Sequence, residues 1–299
     1  MEMLEEVAHL SNADQSARLP VSVIVPVRNE SRNLPRCLES LRKMGEVYVI
    51  DSNSTDSTAR IADSYGAKVV QFHYQGGWPK KRQWAMNTLP LVYDWVFLID
   101  ADEAVTPELE HEIRHAVLNP KVNGYYIALQ MFFLGCALRH SGASFYKLSL
   151  FRWGKGQFEC RLKDQDTSMC DMEVHEHVIV EGEIARLRHP LLHHNIESLS
   201  RYIQKHDEYS NWEAQVWMQG EAGTTELPPA FFGSQAQRRR WLRKKLFTLP
   251  GSPVLFFFHK YVLCLGFLDG IPGLIYCIFQ GIQFFHIKAK IHELRAKKN

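Results

Sequence analysis

Trp95-Val96-Phe97-Leu98-Ile99-Asp100-Ala101-Asp102-Glu103 is the stretch on which the reading of this chain turns. Five apolar residues in unbroken succession describe a strand covered on both faces, as in the middle of a mostly parallel sheet. Two carboxylates stand at its end. Side chains alternate along an extended chain, so Asp100 and Asp102 are expected on one side and Ala101 on the other. Paired carboxylates there suit a hard divalent cation, because open α/β sheets take their ligands at the carboxyl edge. An Asp-x-Asp alone is common in acidic turns, so the weight falls on what precedes it.

Val21 to Pro26 is a β-branched run closed by a proline, which cannot donate to a ladder. Leu34, Cys37, Leu38 and Leu41 then recur at helical spacing up to Gly45. Glu46 to Asp51 reads as a second strand that again ends on a carboxylate. The turn Ser52-Asn53-Ser54-Thr55-Asp56 follows and caps a helix over 57–65. Lys68 to Phe72 is a third strand, Lys80 to Asn87 a helix, and Trp95 to Ile99 the fourth strand. Strands alternating with helices imply a parallel sheet with right-handed crossovers. Three strand ends then converge on one edge: Asn29 with Glu30, Asp51, and Asp100 with Asp102. Neither a Gly-x-Gly-x-x-Gly turn nor a Gly-Lys-Ser loop is present, so any phosphate would be neutralised by metal and side chains. Lys80, Lys81 and Arg82 stand where they could supply charge, although a basic helix start is more often a solvated face.

Pro20 to Glu30, Val49 to Thr58 and Asp100-Ala101-Asp102-Glu103 together resemble a family-2 glycosyltransferase with the GT-A fold. Gly77-Trp78-Pro79-Lys80-Lys81-Arg82-Gln83, Arg139-His140-Ser141-Gly142 and Val174-His175-Glu176 resemble its bacterial branch of lipopolysaccharide-core β-glucosyltransferases. That closer resemblance covers roughly residues 20 to 200. It implies an α/β, mostly parallel sheet flanked by helices, and a metal-dependent inverting transfer from a nucleotide-sugar. By the same resemblance Asn29 and Glu30 lie near the nucleotide, Asp51 holds uracil or ribose, and Lys80 and Arg82 line the donor site. Asp100 contacts ribose or metal, and Asp102 ligates Mg²⁺ or Mn²⁺ on the donor diphosphate, UDP being the expected nucleotide. A metal stabilises the charge that grows on a leaving diphosphate without moving a proton.

Residues 104–197 are expected to form the acceptor half beside a donor half at 20–103. A helix begins at Thr106-Pro107 and runs to about Leu118, and strands are expected at 124–133 and 148–152. Arg139 and His140, with His175, fall on the acceptor side by resemblance. The family pattern continues with aromatic and Asp residues after that segment, whereas this chain continues Ala143-Ser144-Phe145-Tyr146-Lys147. Displacement at an anomeric carbon needs a base for the acceptor hydroxyl, and Glu176 is the candidate, with Asp171 and Glu173 as competitors. His175, His177, His189, His193 and His194 lack the spacing of a structural zinc site. One or two of them are expected against phosphate or acceptor.

The 299 residues carry a formal net charge of +2, which argues against a general nucleic-acid binder. Six scattered cysteines (37, 136, 160, 170, 264 and 277) read as reduced thiols. Residues 1–19 are acidic without an apolar core and are expected to be an arm and no secretory signal. From Ser198 the pattern is helical, with Tyr202, His206, Tyr209, Trp212 and Trp217 as packing aromatics. The run Arg238-Arg239-Arg240-Trp241-Leu242-Arg243-Lys244-Lys245 precedes apolar segments at 254–258 and 261–285, the latter broken by Asp269-Gly270-Ile271-Pro272-Gly273. Residues 198–299 are therefore expected to associate with a membrane, with 238–299 meeting the anionic cytoplasmic leaflet of the inner membrane. A helix-turn-helix lying in the interface is favoured over a single span, which would bury Asp269 and a proline. A basic amphipathic helix closes the chain from Lys288. The acceptor would then be a glycolipid or lipid-linked saccharide. An inactive membrane scaffold or a sugar nucleotidyltransferase are the alternatives, the first disfavoured by the intact carboxylates, the second by the missing Gly-rich loop.

Overall fold

The structure, a computed structural model, describes residues 18–161, 171, 173, 176–194, 198–219 and 227–297. The expected arm, apart from its last two residues, lies outside them, as do His175 and Cys170. Strands β1 (Leu19–Val27), β2 (Met44–Asp51), β3 (Lys68–Gln71) and β4 (Trp95–Leu98) pair in parallel in the order β3-β2-β1-β4. Helices α1 (Leu34–Ser40), α2 (Thr58–Ser64) and α3 (Lys81–Thr88) make the crossovers. The unbroken apolar runs have a direct cause: Val23, Val25 and Phe97 enter one core, while Ile24, Val96 and Leu98 enter a second on the opposite face.

Beyond β4 the sheet becomes mixed. The chain turns at 99–102 and forms β5 (Glu103–Ala104), then α4 (Pro107–Ala116), whose N-cap Thr106 accepts from the Leu109 N–H at 3.1 Å. The long β6 (Val122–Phe133), its short partner β7 (Cys136–Ala137) and β8 (Phe145–Arg152) follow. A separate hairpin pairs β9 (Gly156–Phe158) with β10 (Val178–Val180). Then come β11 (Glu183–Arg186) and β12 (Leu191–His194). Strand β8 inserts between β4 and β6, antiparallel to both, and β12 lies parallel to β6 and antiparallel to β5. That last pairing sets His193 opposite Glu103, next to Asp102.

The C-terminal third is helical: α5 (Leu199–Gln219), α6 (Gln235–Thr248), α7 (Ser252–Phe258), a π turn His259–Leu263, a 3₁₀ turn Gly266–Asp269, and α8 (Gly270–Ala296). The expected packing aromatics do pack. Tyr202 meets Phe133 edge-on at 5.4 Å and Phe279 at 5.2 Å, and Trp217 stacks on Phe247 at 4.4 Å. Two expectations need correction. The expected break at 269–273 does not keep the helix out, since α8 begins at Gly270 and its 27 residues at about 1.5 Å each reach about 40 Å. The basic segment from Lys288 belongs to that same helix. The chain reverses before Gly270, so Pro272 falls in the first turn of α8, where its missing N–H is harmless. Gly273 makes the reversal tight, because a Cβ there would stand 2.4 Å from the Gly266 carbonyl oxygen.

Candidate active site

A cleft of 1310 Å³ opens at the carboxyl edge of the parallel strands. One wall is the loop after β1 (Arg28, Asn29, Glu30) with the loop after β4 (Asp100, Ala101, Asp102). The other is helical, from α5, α6, the π turn and α8, with the 142–145 segment between them.

The expected alternation of Asp100 and Asp102 does not occur, because strand geometry ends at Leu98. The peptide N–H of Asp100 donates to Glu103 Oε2 at 2.9 Å, and that of Glu103 returns to the Asp100 carbonyl at 2.9 Å, closing a turn. The two carboxylates consequently take different partners. Asp100 is bound by Arg82 and by Lys147 Nζ at 3.0 Å. Burial would raise its pKa, but Arg82 and Lys147 outweigh it and hold the carboxyl well below its usual range. Asp102 instead has His193 Nε2 at 3.5 Å from Oδ2, while His193 Nδ1 lies 3.5 Å from Glu103 Oε1. Neither contact completes a hydrogen bond, which leaves a buried imidazole with both nitrogens unsatisfied beside a carboxylate. Burial acts to lower that ring's pKa, and Asp102 with Glu103 raise it above the ordinary value.

Among the described residues no three His, Cys, Asp or Glu side chains converge as a ready-made metal cage. The orphaned His193 beside Asp102 nonetheless fits a cation whose remaining ligands come from a diphosphate and water, the way small hard cations are commonly held. Sequence reasoning expected one or two of the five histidines against phosphate or acceptor without singling out His193. Its signal was positional, a His at a strand end paired next to Asp102. Lys147, on β8, and Lys205, on α5, were missed as well. Lys205 donates to Glu30 Oε1 at 3.2 Å, and although burial opposes its charge, Asp102 and Glu30 raise its pKa.

The basic start of α3 is no solvated face. Lys80, Lys81 and Arg82 are all buried. Lys81 donates to the Val27 carbonyl at 3.0 Å and pairs with Asp171 at 3.1 Å; Arg82 reaches Asp100 and the Glu173 carbonyl; Lys80 lies 3.6 Å from Glu176 Oε2. Of the three candidate bases, Asp171 lines the cleft, while Glu173 and Glu176 sit behind it against Arg82 and Lys80. Burial pushes the Glu176 carboxyl up to about 7, with Lys80 pulling back. Asp51 is also behind the cleft, and its carboxylate accepts from Ser54 N–H at 3.1 Å, from Ser54 Oγ and from Gln71 Nε2 at 3.1 Å. Asn29 does face the cleft, in the left-handed region at φ 56°, and its Oδ1 accepts from the Thr55 N–H at 2.8 Å.

Asp269 organises the 139–141 loop, where the acceptor was expected. Its carboxylate, 3% exposed, accepts from the Arg139 N–H at 3.0 Å, the His140 N–H at 3.0 Å and Ser141 Oγ at 2.7 Å, with His140 Nδ1 at 3.1 Å. Arg139 and His140 are therefore held through their backbone from the C-terminal helices. Arg239, Arg240, Arg243 and Lys244 line the cleft. Arg240 pairs with Glu159, and Arg243 with Glu213 at 2.6 Å. Spacing marked them as a patch; packing of α6 turns Arg240 and Arg243 inward onto carboxylates, while Arg239 and Lys244 stay exposed at the mouth of the cleft.

A parallel sheet with an acidic carboxyl edge, extended by antiparallel strands, is the frame of the GT-A fold. Residues 22–163 match the model of the family Glycosyl transferase family 2. Over 292 residues it is 27% identical to the lipopolysaccharide core biosynthesis glycosyltransferase LpsC of Rhizobium meliloti, covering 94% of this chain and 96% of that protein. A glycosyltransferase of Rickettsia conorii is 28% identical over 285 residues, 93% of this chain and 91% of its own. Among solved structures, glucosyl-3-phosphoglycerate synthase of Mycobacterium tuberculosis, in complex with Mn²⁺ and UDP, has 22% identity and a TM-score of 0.30, covering 41% of this chain and 47% of that one. TarS of S. aureus has 15% identity and a TM-score of 0.41, covering 86% and 54%. The chain thus spans about half the length of these solved structures.

Proposed function

We propose that this enzyme transfers a sugar, with inversion, from a UDP-sugar to a lipid-linked saccharide in lipopolysaccharide core assembly, at the cytoplasmic face of the inner membrane. The carrying observation is the cleft itself, whose acidic strand-end wall faces a wall built by membrane-suited helices. Likeness to LpsC along nearly the whole chain supports the pathway. Asp102 and His193 would hold the divalent cation, and an imidazole beside a carboxylate favours Mn²⁺ over Mg²⁺. When bound, that cation would act as a Lewis acid on the donor diphosphate. This chain's own residues do the rest. Glu30 and Asn29 bound the nucleotide side, and Arg82 and Lys147 keep Asp100 ionised there. The acceptor proton falls to the 171–176 segment, where Asp171 faces the cleft and Glu176 has a proton affinity suited to neutral pH.

The membrane reading is supported by Gly266–Ala296, 31 residues long and apolar enough to cross a membrane by length and composition. A third of its most apolar stretch, 33%, is buried in the protein, and Leu263, Leu265, Phe267, Leu268 and Ile271 are exposed at the reversal. That pattern suits a helix pair lying in the interface with an apolar tip inserted. The deciding experiment is calorimetric titration of UDP, GDP and CMP with and without Mn²⁺. Metal-dependent binding of UDP alone, lost in Asp102→Asn and His193→Ala, supports the reading; absence of nucleotide binding under every condition sinks it.

A further inference from the structure

We propose that Arg239 and Lys260 form a phosphate-binding subsite on the acceptor side of the cleft, behind the 139–145 loop. It rests on the transfer reading only in assigning the anion to the acceptor and not to the donor. Both side chains line the cleft, Arg239 from α6 and Lys260 from the π turn. Each is aimed by a carbonyl of the same loop. Arg239 Nη2 donates to the Ser144 oxygen at 3.1 Å and Lys260 Nζ to the Gly142 oxygen at 3.0 Å. Aromatic rings support them, Phe145 at 5.2 Å from the guanidinium and Phe256 at 5.6 Å from the ammonium. Gly142 makes room, since a Cβ there would stand 2.8 Å from Lys260 Nζ.

These two cations are oriented but not neutralised. Arg240 and Arg243 on the same helix have carboxylate partners, whereas among the described residues neither Arg239 nor Lys260 forms an ion pair. Asp269, close by in the fold, is taken up by the loop amides and Ser141. Burial, and then Arg239, push the Lys260 ammonium down to about 8. The other groups acting on it are Cys264 in its own turn, Cys277 on α8 and Arg243 on α6. Lys260, partly buried, is the costly one to hold without a counter-ion, while Arg239 keeps its contact with solvent. An entering dianion removes that cost, and a phosphomonoester carries a charge of about −2 near neutral pH. Most of the guanidinium and ammonium donors remain for its oxygens. The exposed Leu263, Leu265 and Phe267 follow directly in the chain, so the phosphate of a membrane glycolipid and a free phosphate ester would both present the required chemistry.

The test titrates inorganic phosphate into protein saturated with UDP and, in parallel, into protein alone. Phosphate should bind alongside UDP, weaken as pH rises through about 8, and lose roughly tenfold or more in affinity in Arg239→Gln and in Lys260→Gln. Lys260→Arg should retain it, and UDP affinity should stay at the wild-type value in all three, which also reports correct folding. Sedimentation with phosphatidylcholine vesicles containing phosphatidic acid, against the same vesicles containing diacylglycerol, identifies the source. Retention by phosphatidic acid that is lost in the double variant assigns a lipid headgroup, and binding of inorganic phosphate alone assigns a soluble ester; both sustain the subsite. Displacement of phosphate by UDP, or variants that bind it as wild type does, would overturn the proposal. Failure of UDP to bind while phosphate binding still depends on Arg239 and Lys260 would refute the donor reading and leave the subsite standing.

Discussion

Replacing Asp269 by alanine should free the 139–141 loop without unfolding the sheet beneath it. The lost carboxylate accepts from two peptide N–H groups and a hydroxyl, at 3.0, 3.0 and 2.7 Å. Hydrogen bonds to a charged acceptor are worth about 1.5–3 kcal/mol each. Arg139 is exposed and His140 half-buried, so their amides recover water; Ser141 is fully buried and its hydroxyl does not. Ser141 also sits at φ 59°, a left-handed conformation costing about 1–2 kcal/mol that the clamp must hold. A net local loss of about 3 kcal/mol follows, equivalent to roughly a hundredfold faster exchange through local opening. Hydrogen exchange read by mass spectrometry on peptides covering 136–145 should show it, with peptides of β6 unchanged. Asp269→Asn should fall between, because one oxygen becomes a donor facing donors. Exchange in the loop within a few-fold of wild type in the alanine variant would refute the clamp.

Arg82→Gln leaves Asp100 and Glu173 without their guanidinium, and loss of one partner of a buried pair costs about 3–5 kcal/mol; denaturant unfolding that shifts by less than about 1 kcal/mol would contradict the geometry. Glu176 has its carboxyl raised from 4.5 to about 7 by burial, so its stabilising contribution is full below pH 4.5 and is lost as pH rises through 7. The difference, of order 3 kcal/mol, should vanish from the pH dependence of stability in Glu176→Gln. If Glu176 is also the base, kcat/KM rises through about pH 7 in wild type and that limb disappears in the variant, whereas a limb preserved there and lost in Asp171→Asn moves the role to Asp171. Leu263→Glu, Phe267→Glu and Leu268→Glu each remove on the order of 1 kcal/mol of interfacial burial, so the triple variant should bind vesicles roughly a hundredfold more weakly in flotation assays. Undiminished flotation would remove the inserted tip.

Burial on both faces made β1, β2 and β4 legible, and the partly exposed edge strand β3 showed only as a short β-branched run. A run such as Val21 to Val25 has no other economical explanation, and the crossover helices follow from it. Thr106 and Pro107 announced α4 by local chemistry alone. What stayed hidden depended on partners distant in sequence. Asp100 and Asp102 look like alternating strand residues until Glu103 folds back on the Asp100 amide and β5 pairs with β12. Lys80, Lys81 and Arg82 look solvated until Asp171, Glu173 and Glu176 arrive to bury them. The arginine run was visible as charge, but spacing states which residues share a face and not what that face meets. Asp269 was weighed as a liability in lipid, and its true partners are loop amides that no periodicity could point to.

The inward-facing helix α6 has a practical corollary for anyone preparing this protein. Removing the segment from Arg238 onward to obtain a tractable catalytic fragment would also delete Arg239, Arg240 and Arg243 from the cleft, along with the carboxylate that fixes the 139–141 loop. The whole chain is therefore the preparation in which to look for activity, and a truncated fragment that fails to turn over should be read as lacking these cleft residues.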